Sequence, residues 1–361
     1  MTFWSDGLDR LEPYVPGEQP RVADLVKLNT NENPYPPSPR VLAAIAQAVG
    51  AQLALYPDPL SLQLRRAIAA HHGAAGLTAD QVFVGNGSDE VLAHAFRAFF
   101  VKQDRALVMP EISYSFYKVY CNLFGITPQL VPLREDWCIA VEDYLRIDPA
   151  TCAGVVIANP NAPTGIALPL AQLERLATHF AHQVVLIDEA YVDFGAESAL
   201  ALLQRHPNVL VVQTLSKAWA LAGLRVGMAF GQVALIEGLT RVKDSFNSYP
   251  LGRLAQVGAQ AAIEDYSYCQ GIIAQVVATR EAMTQALRQR GFEVLPSSAN
   301  FVFARHPQHA GVHLYQELRA RNVLVRHFSS AKLTDHLRIT VGTPAQMQAL
   351  LAALDAVLEP A

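Results

Sequence analysis

Lys217 follows an apolar run, residues 209–215, with only Ser216 between, where its ammonium would sit near a buried sheet edge at a desolvation cost. Burial of a lysine amine lowers its pKa and makes it a Schiff-base nucleophile. A side chain that snorkels to solvent is the alternative. Arg225 lies eight residues on, across Gly223, where its planar fork can reach an anion that Ser216 also touches. Asp188 closes the apolar run 184–187, and a buried carboxylate there needs a cationic or hydrogen-bonding partner. A pyridinium nitrogen would supply one, and so would a neighbouring arginine or a turn N–H. Asn159 and Tyr191 can each donate to a phenolic oxygen, or merely satisfy local backbone.

A second type of site precedes these. In Gly85-Asn86-Gly87-Ser88-Asp89-Glu90 the glycines lead into Ser88, read as the N-cap of a helix running to Phe100. Such a start turns unpaired N–H groups and a positive dipole end toward an anion, and a monophosphate fits there. A glycine turn with an ordinary cap has the same spelling. What separates the readings is joint occurrence: an anion cradle, an amide, a carboxylate with a tyrosine, and a lysine, in order and each at a strand end.

The elements that must hold these residues are short. Between about residues 80 and 231, β-branched runs alternate with helical periodicity, the pattern of a parallel sheet covered by helices. Strands are predicted at 82–84, 106–109, 128–133, 155–158, 184–188, 209–214 and 226–230. Their continuous apolar runs fit strands buried on both faces, and ligands of such sheets collect beyond the carboxyl ends of the strands. Ser38-Pro39 and Thr343-Pro344-Ala345-Gln346 mark helix starts, the latter as a capping box before a helix reaching about Leu358. Helical periodicity over 251–290 is too long for one ordinary helix, and short strands return at 300–303, 323–325 and 337–341. The expected fold is α/β, a large domain at 46–255 with a seven-stranded, mostly parallel sheet flanked by helices. A smaller α+β domain would form from 1–45 plus 256–361.

Composition narrows the function. At 361 residues the chain exceeds a single small core. Its 28 basic and 32 acidic residues, net −4, are scattered with no basic run for a phosphate backbone, which speaks against nucleic acid. No secretory signal opens the sequence, and charge, Gly or Pro interrupts each long apolar stretch, so a cytoplasmic protein without a membrane anchor is expected. Cys121, Cys138, Cys152 and Cys269 lie far apart, no H-E-x-x-H occurs among 11 histidines, and no metal site is expected.

Taken together, the sequence resembles the fold-type I, class II pyridoxal-phosphate-dependent aminotransferases, and within them the histidinol-phosphate aminotransferases. The similar stretches are Lys27-Leu28-Asn29-Thr30-Asn31-Glu32-Asn33-Pro34, Tyr56-Pro57-Asp58, and residues 84–90, 159–165, 188–194, 214–227 and 298–303. The stretch from Ser216-Lys217-Ala218 to Arg225-Val226-Gly227 is the most specific for the fold type. The resemblance implies that Lys217 carries pyridoxal 5′-phosphate as a Schiff base and that Asp188 pairs with its ring nitrogen. Asn159 and Tyr191 would hold the phenolic oxygen, and Tyr114 would stack on the ring. Gly87, Ser88, Asp89, Ser216 and Arg225 would bind the phosphate. Tyr56 would reach the site of a neighbouring subunit, which implies a homodimer. Arg338 would receive the substrate's anionic group, with Arg326 as a further anchor, since the guanidinium fork suits phosphate and carboxylate alike. Tyr14 would add a hydroxyl or simply pack. Asn159 counts toward the substrate as well. Two positions depart from the family pattern: Met228 replaces a frequent aromatic residue and Ala162 a frequent asparagine.

The implied reaction moves an amino group from L-histidinol phosphate to 2-oxoglutarate, with Lys217 as proton carrier at the substrate's Cα. Three rivals share the cofactor residues: an aromatic amino-acid aminotransferase, a threonine-phosphate decarboxylase, and a cofactor-sensing regulatory module. The last would come with a basic DNA-binding segment, for which this sequence shows no charge pattern.

Overall fold

The computed structural model describes residues 3–5, 7–15, 17–20, 22 and 24–358; the outermost parts of the ranges expected for the smaller domain lie outside them. Strand β1 (Val26–Lys27) precedes a seven-stranded sheet built from β2 (Val82–Asn86), β3 (Ala106–Pro110), β4 (Pro128–Val131), β5 (Cys152–Ala158), β6 (Val184–Asp188), β7 (Val209–Thr214) and β8 (Val226–Phe230). The order is β2-β8-β7-β6-β5-β3-β4. Strand β8 runs antiparallel to both its neighbours, and the other pairings are parallel. The expected mostly parallel sheet is therefore present. Four strand ends differ from expectation. Strand β2 runs on to Asn86 and β3 to Pro110. Strand β4 stops at Val131 because Pro132 has no N–H for the ladder, and β5 begins earlier, its small residues Cys152, Ala153 and Gly154 buried between neighbours.

Alternation across the sheet divides the core. Val155, Ile157, Val185, Ile187 and Val211 pack on one face, while Val156, Leu186, Leu210 and Val212 pack on the other, as the two-residue period of a strand requires. Both faces are covered, which is why these strands read as unbroken apolar runs.

The helix after β2 corrects the expected cap. It spans Gly87–Ala95 with Asn86 as N-cap, so Ser88 lies inside its first turn, and a π-helical turn, Phe96–Phe100, continues it. Gly87 holds φ +79°, where a Cβ is strained, so the chain turns one residue before Ser88. Ser38 does cap its helix, accepting from the Arg40 N–H. Thr343 and Gln346 exchange the two bonds of a capping box.

The region 251–290 resolves into two helices, Arg253–Glu264 and Tyr266–Gln289. A second sheet follows, from β9 (Glu293–Val294), β10 (Phe301–Arg305), β12 (Arg326–His327) and β13 (His336–Thr340), ordered β12-β13-β10-β9 and antiparallel throughout. Strand β11 (Val323–Leu324) pairs with β1, which ties the N-terminal segment to this part of the molecule. Among the described residues no helix is long and apolar enough to cross a membrane.

Candidate active site

Six of the seven strands of the large sheet point the same way, so the segments that follow them gather at one edge. Asp188 is the last residue of β6, Asn159 follows β5, and Lys217 comes three residues after β7. Because β8 is reversed, Arg225, just before it, reaches the same edge, while the Gly87 helix starts there from β2. A cavity of about 100 Å³ opens between them, lined by Ser88, Asp89, Tyr114, Asp188, Tyr191 and Lys217 among others.

One end of this cavity is a cup for an anion. Backbones approach closely: a Cβ on Gly227 would overlap the Ser88 nitrogen and the Gly87 carbonyl carbon, and one on Gly87 would overlap the Arg225 guanidinium. Only glycine permits that spacing. Arg225 donates to Asp89 Oδ2 at 2.9 Å and to Ser216 Oγ at 3.5 Å, which folds its fork over the helix start. Tyr114 Oη donates to the other oxygen of Asp89 at 2.9 Å, fixing its ring in the cavity wall.

At the deep end Asp188 is 5% exposed. Tyr117 Oη donates to it at 2.7 Å and the Ala190 N–H at 3.2 Å. Burial pushes its carboxyl up to about 6, against the pull of those two donors. No cation is paired with it among the described residues, so its charge is under-compensated and suits an added cationic N–H. Lys217 Nζ lies 5.7 Å from the centre of the Tyr191 ring and donates to the Thr30 carbonyl at 3.4 Å.

Asn159 stands otherwise than the sequence suggested. It is fully buried, donates to the Leu168 carbonyl at 3.3 Å and accepts from the Leu168 N–H at 2.7 Å. Its amide is thus spent on backbone and is absent from the cavity wall, which carries Ala162 instead. The phenolic-oxygen and substrate roles drawn for Asn159 do not fit this geometry.

A larger cavity of about 360 Å³ adjoins the first and shares Tyr114 and Ala162 with it. Tyr14, Arg326, Phe328 and Arg338 line it from the N-terminal segment and second sheet. Arg326 and Arg338 are directly opposed across β12 and β13, an unfavourable pairing of like charges. Arg338 Nη2 donates to the Asn29 carbonyl at 2.9 Å, yet its buried Nε has no partner. Burial lowers the Arg338 pKa from the usual arginine value. Two opposed guanidiniums with an orphaned donor form a receptor for an anion. Phe328 lies beneath both, 5.6 Å from Arg326 and 5.7 Å from Arg338. Tyr14 packs on Phe116, ring centres 5.0 Å apart.

Tyr56 is elsewhere. It is 79% exposed and stacks on Tyr249, ring centres 4.6 Å apart, outside both cavities. Sequence reasoning gave no role to Tyr117, though the i, i+3 spacing from Tyr114 was available. It also passed over Asn31 and Asn33, whose side chains meet Tyr191 Oη at 2.9 Å and the Lys217 carbonyl at 3.0 Å.

Comparison with known proteins adds independent findings. The sequence model of the family "Aminotransferase class I and II" matches residues 23–354. The chain is 58% identical over 356 residues to "Histidinol-phosphate aminotransferase 2" of Rhizobium meliloti (strain 1021), covering 99% of each. It is also 58% identical to "Histidinol-phosphate aminotransferase 2" of Thiobacillus denitrificans, covering 98% of this chain and 97% of that one. Among solved structures, histidinol-phosphate aminotransferase from Sinorhizobium meliloti in complex with pyridoxal-5′-phosphate superposes with TM-score 0.82 at 26% identity. That match covers 92% of this chain and 90% of the other.

Proposed function

Because this chain belongs to the class I and II aminotransferase family, we propose that it transfers the amino group of L-histidinol phosphate to 2-oxoglutarate, yielding imidazole acetol phosphate and L-glutamate in histidine biosynthesis. Its cofactor is pyridoxal 5′-phosphate. The residues fit that group. The glycine-lined cup at the helix start takes a phosphate, and the buried Asp188, with no ion-pair partner among the described residues, takes a protonated ring nitrogen.

When bound, the cofactor would supply an electron sink through its protonated ring that makes the substrate Cα–H acidic. Asp188 keeps that ring nitrogen protonated. Lys217 is the residue that would hold the cofactor, and its amine would serve as the base and then the acid that moves the substrate Cα proton. Ser88 and Asp89 in the first turn, with Gly87, Ser216 and Arg225, hold the phosphate by N–H groups, hydroxyl and fork. Tyr191 donates to the phenolic oxygen, and Tyr114 covers a ring face. Arg338 and Arg326 bind phosphate in the donor and carboxylate in the acceptor, which lets one site serve both half-reactions. Tyr14 closes the substrate side.

The reading includes a homodimer in which Tyr56 completes the neighbour's site, and a cytoplasmic location. It keeps residues 46–255 as the cofactor-binding unit, with 1–45 plus 256–361 bringing the anion-binding arginines.

The observation that carries this proposal is the opposed pair Arg326 and Arg338, with an unpartnered Nε, beside a cavity that holds both Lys217 and Asp188. Glutamate formation from 2-oxoglutarate tests it, with L-histidinol phosphate, phenylalanine and threonine phosphate compared as donors. The phosphorylated imidazole donor is expected to give the highest kcat/KM. Preference for phenylalanine would make this an aromatic aminotransferase, and carbon dioxide release from threonine phosphate a decarboxylase.

A further inference from the structure

The segment Asn29 to Asn33 touches the site at several points, and Asn31 stands out among them. It is 1% exposed and holds φ 56°, a left-handed conformation that asparagine, aspartate and glycine tolerate. Its backbone N–H donates to Thr340 Oγ1 at 3.0 Å, and its carbonyl accepts from Asn300 Nδ2 at 2.9 Å. Thr340 Oγ1 in turn donates to Asn31 Oδ1 at 3.0 Å. With the amide oxygen so engaged, Nδ2 faces Tyr191 Oη and donates to it at 2.9 Å.

A phenol has one proton to give. Since Tyr191 accepts from Asn31, that proton is free to point into the cavity. Two other hydroxyls there are committed, Tyr114 donating to Asp89 and Thr214 to Ser216, while Ser88 and Ser216 belong to the anion cup. No side-chain amide lines this cavity among the described residues, with Asn159 turned to Leu168.

We infer that Asn31 is a positioning residue that fixes the Tyr191 hydroxyl as a one-way donor toward the cofactor's phenolic oxygen. The inference rests on the cofactor reading above. The relay runs from Thr340 through Asn31 to Tyr191, and Thr340 lies two residues beyond Arg338 on the same face of β13. The charged and titratable groups facing Tyr191 are Lys217, Arg338 and Tyr114, with Glu32 beyond Lys217. None of them hydrogen-bonds its hydroxyl, which leaves Asn31 as the residue that sets its direction.

The test is a pH titration of the visible band of the full-length protein loaded with pyridoxal phosphate, without substrate. Donation from Tyr191 stabilises negative charge on the phenolic oxygen. Weaker donation leaves that charge to hold a proton more tightly on the nitrogen that joins Lys217 to the cofactor. Asn31→Asp keeps shape and backbone but replaces a donor with an acceptor that draws the Tyr191 proton away. The midpoint of the band should rise by roughly half to one pH unit, the equivalent of one hydrogen bond. Asn31→Gly, which also accepts φ 56°, should move it the same way by a smaller amount. Unchanged midpoints in both variants would overturn the inference, as would loss of the cofactor from both, which would make Asn31 a packing residue. If the unmodified protein shows no band with excess cofactor, it is the cofactor reading that fails, and this inference with it.

Discussion

Asp188 illustrates how a residue can be costly to the fold and useful to the site. Its carboxyl is pushed up from the usual aspartate value of 3.8 to about 6 by burial, so between those values the folded, cofactor-free protein binds more protons than the unfolded chain. The sign follows: this contribution to stability is present below pH 3.8 and lost as pH rises through about 6. Asp188→Asn removes that dependence. Cofactor-free Asp188→Asn protein is predicted to melt above the unmodified protein at pH 7, by up to about 3 kcal/mol in stability, while binding pyridoxal phosphate more weakly. Thermal melts across pH 5–8 with and without cofactor check both halves. The residue types at this scale were legible in the sequence, since a carboxylate, a lysine and an arginine at apolar strand ends are conspicuous. Side-chain direction was not. Asn159 has the right type and position yet turns to Leu168, while Tyr117 and Asn31 meet the site through hydrogen bonds spanning 71 and 160 positions. No local spacing encodes such contacts.

At the scale of elements, the site depends on β8 running against its neighbours. That reversal carries Gly227 across from the Gly87 helix start and sets Arg225 over the same edge. Gly227→Ala would drive a methyl group into the Ser88 nitrogen and the Gly87 carbonyl carbon, both backbone atoms with no rotamer to yield. The expected outcome is a loss of about 1–3 kcal/mol of stability, with a cofactor affinity that falls more than the stability loss alone accounts for. Chemical denaturation and cofactor titration measure the two separately. Six of the seven strands were readable because burial on both faces writes continuous apolar runs, whereas the edge strand β4 is exposed at three of its four residues. The direction of β8 and the exact helix start were not, because a period of two is the same in either direction and the cap depends on the φ that Gly87 adopts. The second sheet was read only in part, since strands of two residues such as Arg326–His327 leave no periodicity to detect.

At the scale of the molecule, the substrate cavity forms where the edge of the large sheet meets the second sheet and the N-terminal segment. Glu111 beyond β3 and Lys332 beyond β12 form an ion pair of 2.7 Å at the border between them. Tyr56 is exposed with Tyr249 stacked on it, and its neighbours in the chain Leu53, Leu55 and Leu60 are exposed as well. Exposed apolar side chains on one segment favour association where they form a common surface. The account predicts a solution mass of twice the chain by sedimentation equilibrium. Mixing Lys217→Ala with a Tyr56→Ala variant, each impaired alone, should restore part of the activity if subunits share sites. No recovery after verified subunit exchange would place Tyr56 outside the chemistry. The relation between subunits is a property of surfaces in contact, which one chain's sequence suggested here only through resemblance.

The most direct measurement is the visible spectrum of the pyridoxal-phosphate-loaded protein during a single addition of L-histidinol phosphate with no acceptor present. The account predicts that the band bleaches with one keto product formed per active site, and that 2-oxoglutarate then restores it. It also predicts no such band in Lys217→Ala. A band that L-histidinol phosphate leaves unchanged, or a covalent cofactor that survives in Lys217→Ala after borohydride reduction, would contradict it.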